Sequence, residues 1–136
     1  MKKRTILFIM MAVLAIGITG CGKMKEKETD MGAGAQEITA EQAKEMMDQN
    51  KECIVLDVRD RSEYEEGHIA GAILIPYTEM KDQAEEKLSD KDQLILVYCR
   101  SGRRSAIAAA DLVSMGYTNV KDFGGIIDWP YEVVKE

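Results

Sequence analysis

The sequence contains one histidine, His68, and three cysteines, Cys21, Cys53 and Cys99, none of them in a CxxC pair. That scarcity excludes a zinc site or a dithiol redox motif, both of which need closely spaced ligands. No metal and no other cofactor is expected. Positive charge is scarce as well. The formal net charge is −6, and Lys2, Lys3 and Arg4 are the only charged residues of Met1–Gly20, so removing those three positive charges leaves −9 on the remainder. An acidic surface repels phosphate backbones, which removes nucleic acid from the candidate partners. No internal repeat is present, and 136 residues give room for one domain, expected to be a monomer.

The chain has one extended apolar stretch, Ile6–Ile18, preceded by Lys2, Lys3 and Arg4 and followed by Thr19, Gly20 and Cys21. It is shorter than the ~20 residues that span a bilayer and reads as an export signal, either cleaved before Cys21 or retained as an anchor. Both readings place the rest of the chain outside the cytoplasm on a membrane. The tetrad Ile18-Thr19-Gly20-Cys21 resembles the bacterial lipoprotein signal, which implies a signal peptide over 1–20 and a lipidated Cys21 that holds the protein on the membrane. Gly22 to Gln36 is rich in Lys, Glu, Gly and Ala without apolar periodicity, as a solvated tether is. The expected organisation is therefore signal peptide 1–20, flexible tether 21–36 and folded domain 37–136.

Within the domain, Ile38 to Asn50 reads as a helix with Thr39 and Gln42 spaced as a capping box. The runs Cys53 to Val58, Ala72 to Ile75 and Leu94 to Tyr98 are short and apolar throughout, as strands covered on both faces are. Tyr117 to Phe123 is a last strand. Helices are expected from Asp60 to Glu66, Thr78 to Leu88 and Ser105 to Met115, the last ended by Gly116. Strands alternating with helices predict an α/β domain with a parallel sheet.

Chemistry concentrates in LILVYCRSGRRSAIAAA, Leu94 to Ala110, where a buried strand runs through a short loop into a helix of small residues. Backbone N–H groups and a helix N-terminus then converge near Cys99. Those dipoles and the cations Arg100, Arg103 and Arg104 favour a thiolate, so Cys99 is the candidate nucleophile. Gly102 lets the loop curl. Cys53 begins one strand and Cys99 ends another, so a bridge between them is not expected, and Cys53 reads as an inert core thiol.

This arrangement resembles two families, the rhodanese-like sulfurtransferases and the related cysteine phosphatases and arsenate reductases. The phosphatases have a histidine before the cysteine and an arginine six positions after it, whereas Tyr98 precedes Cys99 here and Arg104 follows five positions later. The loop Cys99 to Arg104 is therefore similar to the shorter sulfurtransferase loop, whose tighter ring of amides suits one sulfur anion better than a phosphoryl group. VLDVRDRSEYEEGHIAGAILIP, Val55 to Pro76, resembles the rhodanese signature, and FGGIIDWP, Phe123 to Pro130, its closing Gly-Gly-x-x-x-Trp motif.

The resemblance implies a single rhodanese-like domain with a mostly parallel five-stranded sheet and helices on both faces. It implies transfer of a sulfane sulfur from an anionic donor, such as thiosulfate, a polysulfide or a persulfide, to a thiol or cyanide acceptor. Cys99 would carry the sulfur as a persulfide, and Arg100, Ser101, Gly102, Arg103, Arg104 and Ser105 would bind substrate. Asp57, Arg59 and His68 are possible supporting residues, with structural readings beside two of them: Arg59 as an ion pair with Glu63, and His68 as the pin of a turn. Trp129 is expected to pack on the sheet. The rival readings are a persulfide carrier or protein-binding module without turnover, and arsenate or phosphate chemistry.

Overall fold

The computed structural model describes residues 34–136. The signal peptide, Cys21 and the tether up to residue 33 lie outside them.

Five strands, β1 (Gln36–Glu37), β2 (Ile54–Asp57), β3 (Ile73–Leu74), β4 (Ile95–Cys99) and β5 (Val120–Gly125), form one sheet in the order β1-β5-β4-β2-β3. Every pairing is parallel. The helices are α1 (Ala40–Gln49), α2 (Arg61–Glu66), α3 (Met80–Lys87) and α4 (Arg103–Ser114), with a 3-10 turn at Tyr77–Glu79 before α3.

Local chemistry sets several boundaries. In the capping box of α1, the Gln42 N–H donates to Thr39 Oγ1 at 3.2 Å and the Thr39 N–H donates to Gln42 Oε1 at 2.9 Å. At the start of α2 the Asp60 N–H donates to Glu63 Oε2 at 3.1 Å. After α4, Gly116 takes the left-handed backbone at φ +94°. The first strand was not legible as one. Gln36, at the end of the segment read as tether, pairs with Lys121, and Glu37 pairs with Asp122. Two polar residues give no apolar pattern, and only the open edge of β5 makes them a strand.

Alternation along the strands divides the core between the two faces. Ile95, Val97 and Cys99 of β4 join Leu56 and Val58, with Met80 and Ala84 of α3 and Leu112 of α4. Leu96 and Tyr98 point the other way, into a cluster with Val55, Ala43 of α1, Phe123 and Trp129. All of β4 is buried, as a central strand covered on both faces must be. The parallel arrangement brings Asp57, Cys99 and Gly125, the last residues of β2, β4 and β5, to one edge of the sheet, the edge where open parallel sheets hold their sites.

Candidate active site

Cys99 is fully buried at the end of β4, with its side chain on the α3 and α4 face. The chain turns at Gly102, whose φ of +103° only glycine adopts readily, and enters α4 at Arg103. The Gly102 N–H donates to the Cys99 sulfur at 3.0 Å. Burial pushes the Cys99 thiol up, but the N–H groups of Ser105, Gly102 and Ser101 and the Ser105 hydroxyl outweigh it and hold it below the ordinary thiol value. The site thus favours a thiolate by directed N–H and O–H donors.

The arginines of the loop divide into two kinds. Arg100 and Arg103 are exposed and make no ion pair among the described residues. Arg104 is clamped instead: its Nη1 and Nη2 donate to the two oxygens of Glu63 at 2.7 and 2.9 Å, and Asp60 lies 3.7 Å away. The Arg104 guanidinium holds the Glu63 carboxyl down to about 2. Arg104 also faces Cys99, but its charge is already shared. Because the Glu63 carboxyl is lowered from 4.5 by folding, the clamp stabilises the fold above the ordinary carboxylate range, and its contribution is lost as pH falls toward 2. Glu63→Gln is therefore expected to flatten the acid limb of stability in urea melts between pH 5 and about 2, leaving stability near pH 7 the more affected by the substitution.

The ion pair assigned to Arg59 needs correction. Its partner is Asp57, with Nη2 donating to Oδ2 at 2.6 Å and Nε to Oδ1 at 3.0 Å, while Glu63 goes to Arg104. Asp57 also accepts from the Arg59 N–H at 2.9 Å and the Tyr98 hydroxyl at 2.7 Å. Arg59 Nη2 donates further to the Gly67 carbonyl at 2.8 Å, and the Ile69 N–H donates to Tyr98 Oη at 3.1 Å. This buried network joins β2 and β4 to the turn at Gly67–Ile69. His68 belongs to that turn: its Nδ1 lies 2.8 Å from the Tyr64 carbonyl and its ring stacks on Tyr64 at 3.6 Å. Backbone bonds of 2.8 Å to and from Val134 fix it further. Asp57, Arg59 and His68 are thus each held by contacts within the domain.

Sequence reasoning missed the seat of the loop. A Cβ built on Gly125 would lie 2.1 Å from the Arg100 carbonyl oxygen and 2.6 Å from Ser101 Cα. The Arg100 carbonyl also accepts from the Ile127 N–H at 3.2 Å. The Gly-Gly pair of FGGIIDWP was the only signal, and its purpose depends on a contact across the sheet. Trp129 packs with Phe123 and lies at the other face.

Cys53 is half-buried just before β2 and free, as is Cys99. It is less enclosed than expected of a core thiol, although burial still pushes its thiol up. Ile54 pairs with Ile95 and Cys53 stands one residue earlier, so five residues of strand separate the two cysteines, roughly 16 Å at ~3.3 Å per residue, well beyond disulfide reach. Among the described residues no cluster of His, Cys, Asp and Glu is arranged to hold a metal.

A family model described as a rhodanese-like domain matches residues 39–130. The chain is 40% identical over 80 residues to thiosulfate sulfurtransferase PspE of Escherichia coli (strain K12), covering 59% of this chain and 77% of that protein. It is 34% identical over 105 residues to a putative sulfur carrier protein, YrkF, of Bacillus subtilis (strain 168), covering 76% of this chain and just over half, 56%, of that one. Among solved structures it is similar to a rhodanese with anions from E. coli, at TM-score 0.58 and 38% identity over 61% of this chain and 98% of that chain. A rhodanese-related protein from Thermoplasma volcanium aligns at TM-score 0.64 and 36% identity, over 74% of this chain and 99% of that chain.

Proposed function

Because the chain belongs to the rhodanese-like domain family, we propose that it is a sulfurtransferase that moves a sulfane sulfur from an anionic donor to a thiol or cyanide acceptor through a persulfide on Cys99. The observation that carries this reading is the Cys99 sulfur held by the Gly102 N–H at 3.0 Å in a ring of donors at the start of α4. The Cys99 thiolate attacks the outer sulfur of a donor such as thiosulfate, forming an S–S bond as the S–S bond of the donor breaks and sulfite leaves. The acceptor then attacks the outer sulfur of the persulfide, and Cys99 departs as thiolate, which gives ping-pong kinetics. The ring that holds the resting thiolate receives the same charge again at the end of the cycle.

A single-turnover reaction with thiosulfate, followed by intact-mass analysis, tests the proposal. One added sulfur atom on the peptide containing Cys99, removed by cyanide as thiocyanate, is expected; unmodified protein after thiosulfate and after polysulfide would overturn it. Steady-state turnover then separates an enzyme from a sulfur carrier, the reading favoured by the likeness to YrkF. Arsenate and aryl phosphates are expected not to turn over.

Donor affinity belongs to the unpaired cations Arg100 and Arg103. Either alanine variant is expected to raise the thiosulfate KM by about 3–10-fold, with cyanide kinetics changed less, and high salt should mimic part of the loss. Equal losses in both half-reactions would mean that the arginines shape the loop and do not attract the donor.

The proposed location is extracytoplasmic, on a membrane, through a lipid on Cys21. Cells fed a labelled fatty acid should label the full chain, and Cys21→Ser should abolish the label and release the protein from the membrane fraction.

A further inference from the structure

Among the described residues five large apolar side chains are exposed, Ile107, Ile127, Tyr131, Val133 and Val134. Ile127 is the most open of them at 63%, whereas the others lie between 38% and 41%. A lone apolar residue on a surface is ordinary, so its place decides what it means. Ile127 sits in the 3-10 turn Ile126–Asp128 that follows β5, two residues past Gly125. Its N–H donates to the Arg100 carbonyl at 3.2 Å, and Gly125 pairs with Cys99 in the sheet. The bond to Arg100 thus fixes Ile127 at the rim of the cysteine loop. Ile126 turns the other way and packs against the cluster of Phe123 and Trp129, so the turn divides its two isoleucines between core and solvent. Gly124 and Gly125 carry no side chains, and nothing stands within 4 Å of a Cβ at Gly124. The first exposed side chain after them is that of Ile127.

We propose that Ile127 and Arg100 form a two-part subsite for an organic sulfur substrate, an anion carried on an apolar skeleton: the exposed Arg100 guanidinium takes the charge and the Ile127 side chain takes the carbon. The inference rests on the sulfur-transfer reading and names the substrate class within it. Attack of a thiolate at sulfur proceeds in line, with nucleophile and leaving group on opposite sides of the atom transferred. Cys99 is fully buried at the start of the loop, so the leaving group points outward to the rim. With a hydropersulfide donor, the Cys99 thiolate bonds to the outer sulfur, the S–S bond of the donor breaks, and the organic thiolate departs with the electron pair. Its carbon skeleton then lies over Ile127, where an inorganic leaving group such as sulfite has no carbon to bury. Removing both apolar surfaces from water favours the organic substrate, while Arg100 supplies the attraction for its charge.

The test uses unreactive anions, so it does not depend on transfer. Benzenesulfonate and methanesulfonate carry the same charged group and differ only in the apolar part. Each is titrated against the rate at which iodoacetamide, itself uncharged, alkylates Cys99 in the full-length protein, read by mass on the peptide that holds Cys99. Benzenesulfonate is expected to protect at about 5–10-fold lower concentration than methanesulfonate, the scale of burying part of one aliphatic side chain. Ile127→Ser should bring the two anions to parity, Ile127→Val should keep the preference, and Arg100→Ala should weaken protection by both to the same extent. Because Ile127 is exposed, its replacements stay within the small stability effects of surface changes. Ile107→Ser is the control: Ile107 is 41% exposed on α4, and the preference should survive the change. Absent or equal protection by the two anions in the wild type would overturn the proposal, as would a preference that persists in Ile127→Ser or vanishes in Ile107→Ser. Undiminished protection in Arg100→Ala would overturn it as well. A preference found intact in a protein that takes no sulfur from thiosulfate or polysulfide would keep the subsite and sink only the persulfide reading.

Discussion

A Gly125→Ala variant is expected to lose sulfur transfer almost as completely as Cys99→Ser, although Gly125 has no side chain to offer the reaction. The added Cβ would stand 2.1 Å from the Arg100 carbonyl oxygen and 2.6 Å from both the Arg100 carbonyl carbon and Ser101 Cα. These are backbone atoms of the cysteine loop, so no side chain can swing aside to make room. The loop must withdraw by about 1 Å, and a misplacement of that size costs on the order of 100-fold in rate. Overpacking at a backbone contact should also destabilise the fold by about 1–3 kcal/mol. Gly124→Asn is the control. Gly124 has φ +86° but nothing within 4 Å of a Cβ, and asparagine tolerates the left-handed region, so that variant should keep most of its activity. Transfer rates and urea midpoints for the two variants check the contrast. Equal effects would mean that the conformation of the pair, and not the close approach at Gly125, holds the loop.

Asp57→Ala is expected to produce the largest loss of stability of any single change in the domain, about 3–5 kcal/mol, because it leaves a buried guanidinium without its counter-charge. The Asp57 side chain is fully buried and that of Arg59 is only 6% exposed, so water cannot replace the carboxylate without opening the structure. The same substitution leaves the Tyr98 hydroxyl without its acceptor at 2.7 Å. Tyr98→Phe removes that bond and the one its oxygen accepts from the Ile69 N–H, and should cost about 1–3 kcal/mol. Its transfer activity should persist where the protein is folded, because Tyr98 points to the face opposite Cys99. Urea denaturation at pH 7 measures all of these. An Asp57→Ala variant as stable as Tyr98→Phe would show that Arg59 finds another partner when the fold relaxes.

Much of the domain was written in local sequence. Caps at Thr39 and Asp60, the glycine stop at Gly116 and the apolar runs of β2 and β4 each depend on residues within one turn or one strand, so their spacing was enough to place them. The cysteine loop was legible for the same reason: the residues from Cys99 to Ser105 are contiguous, and their amides face the sulfur because a strand leads directly into a helix. Neighbouring residues alone thus specify an α/β domain with Cys99 at the head of a strand-to-helix loop.

Which charges pair, and which groups press on the loop, depends on the tertiary fold. Glu63 stands four residues from Arg59 in the chain, yet it reaches Arg104, 41 positions away, while Arg59 turns back to Asp57. Both acids have the right charge and similar reach, and only the parallel pairing of β2 with β4 determines which one each guanidinium meets. Gln36 and Glu37 become a strand only because β5 offers an open edge, and Gly125 is indispensable only because Arg100 crosses it. Local propensity and periodicity are properties of neighbours in the chain, whereas ion pairing, edge pairing and close backbone approach depend on segments that folding alone brings together.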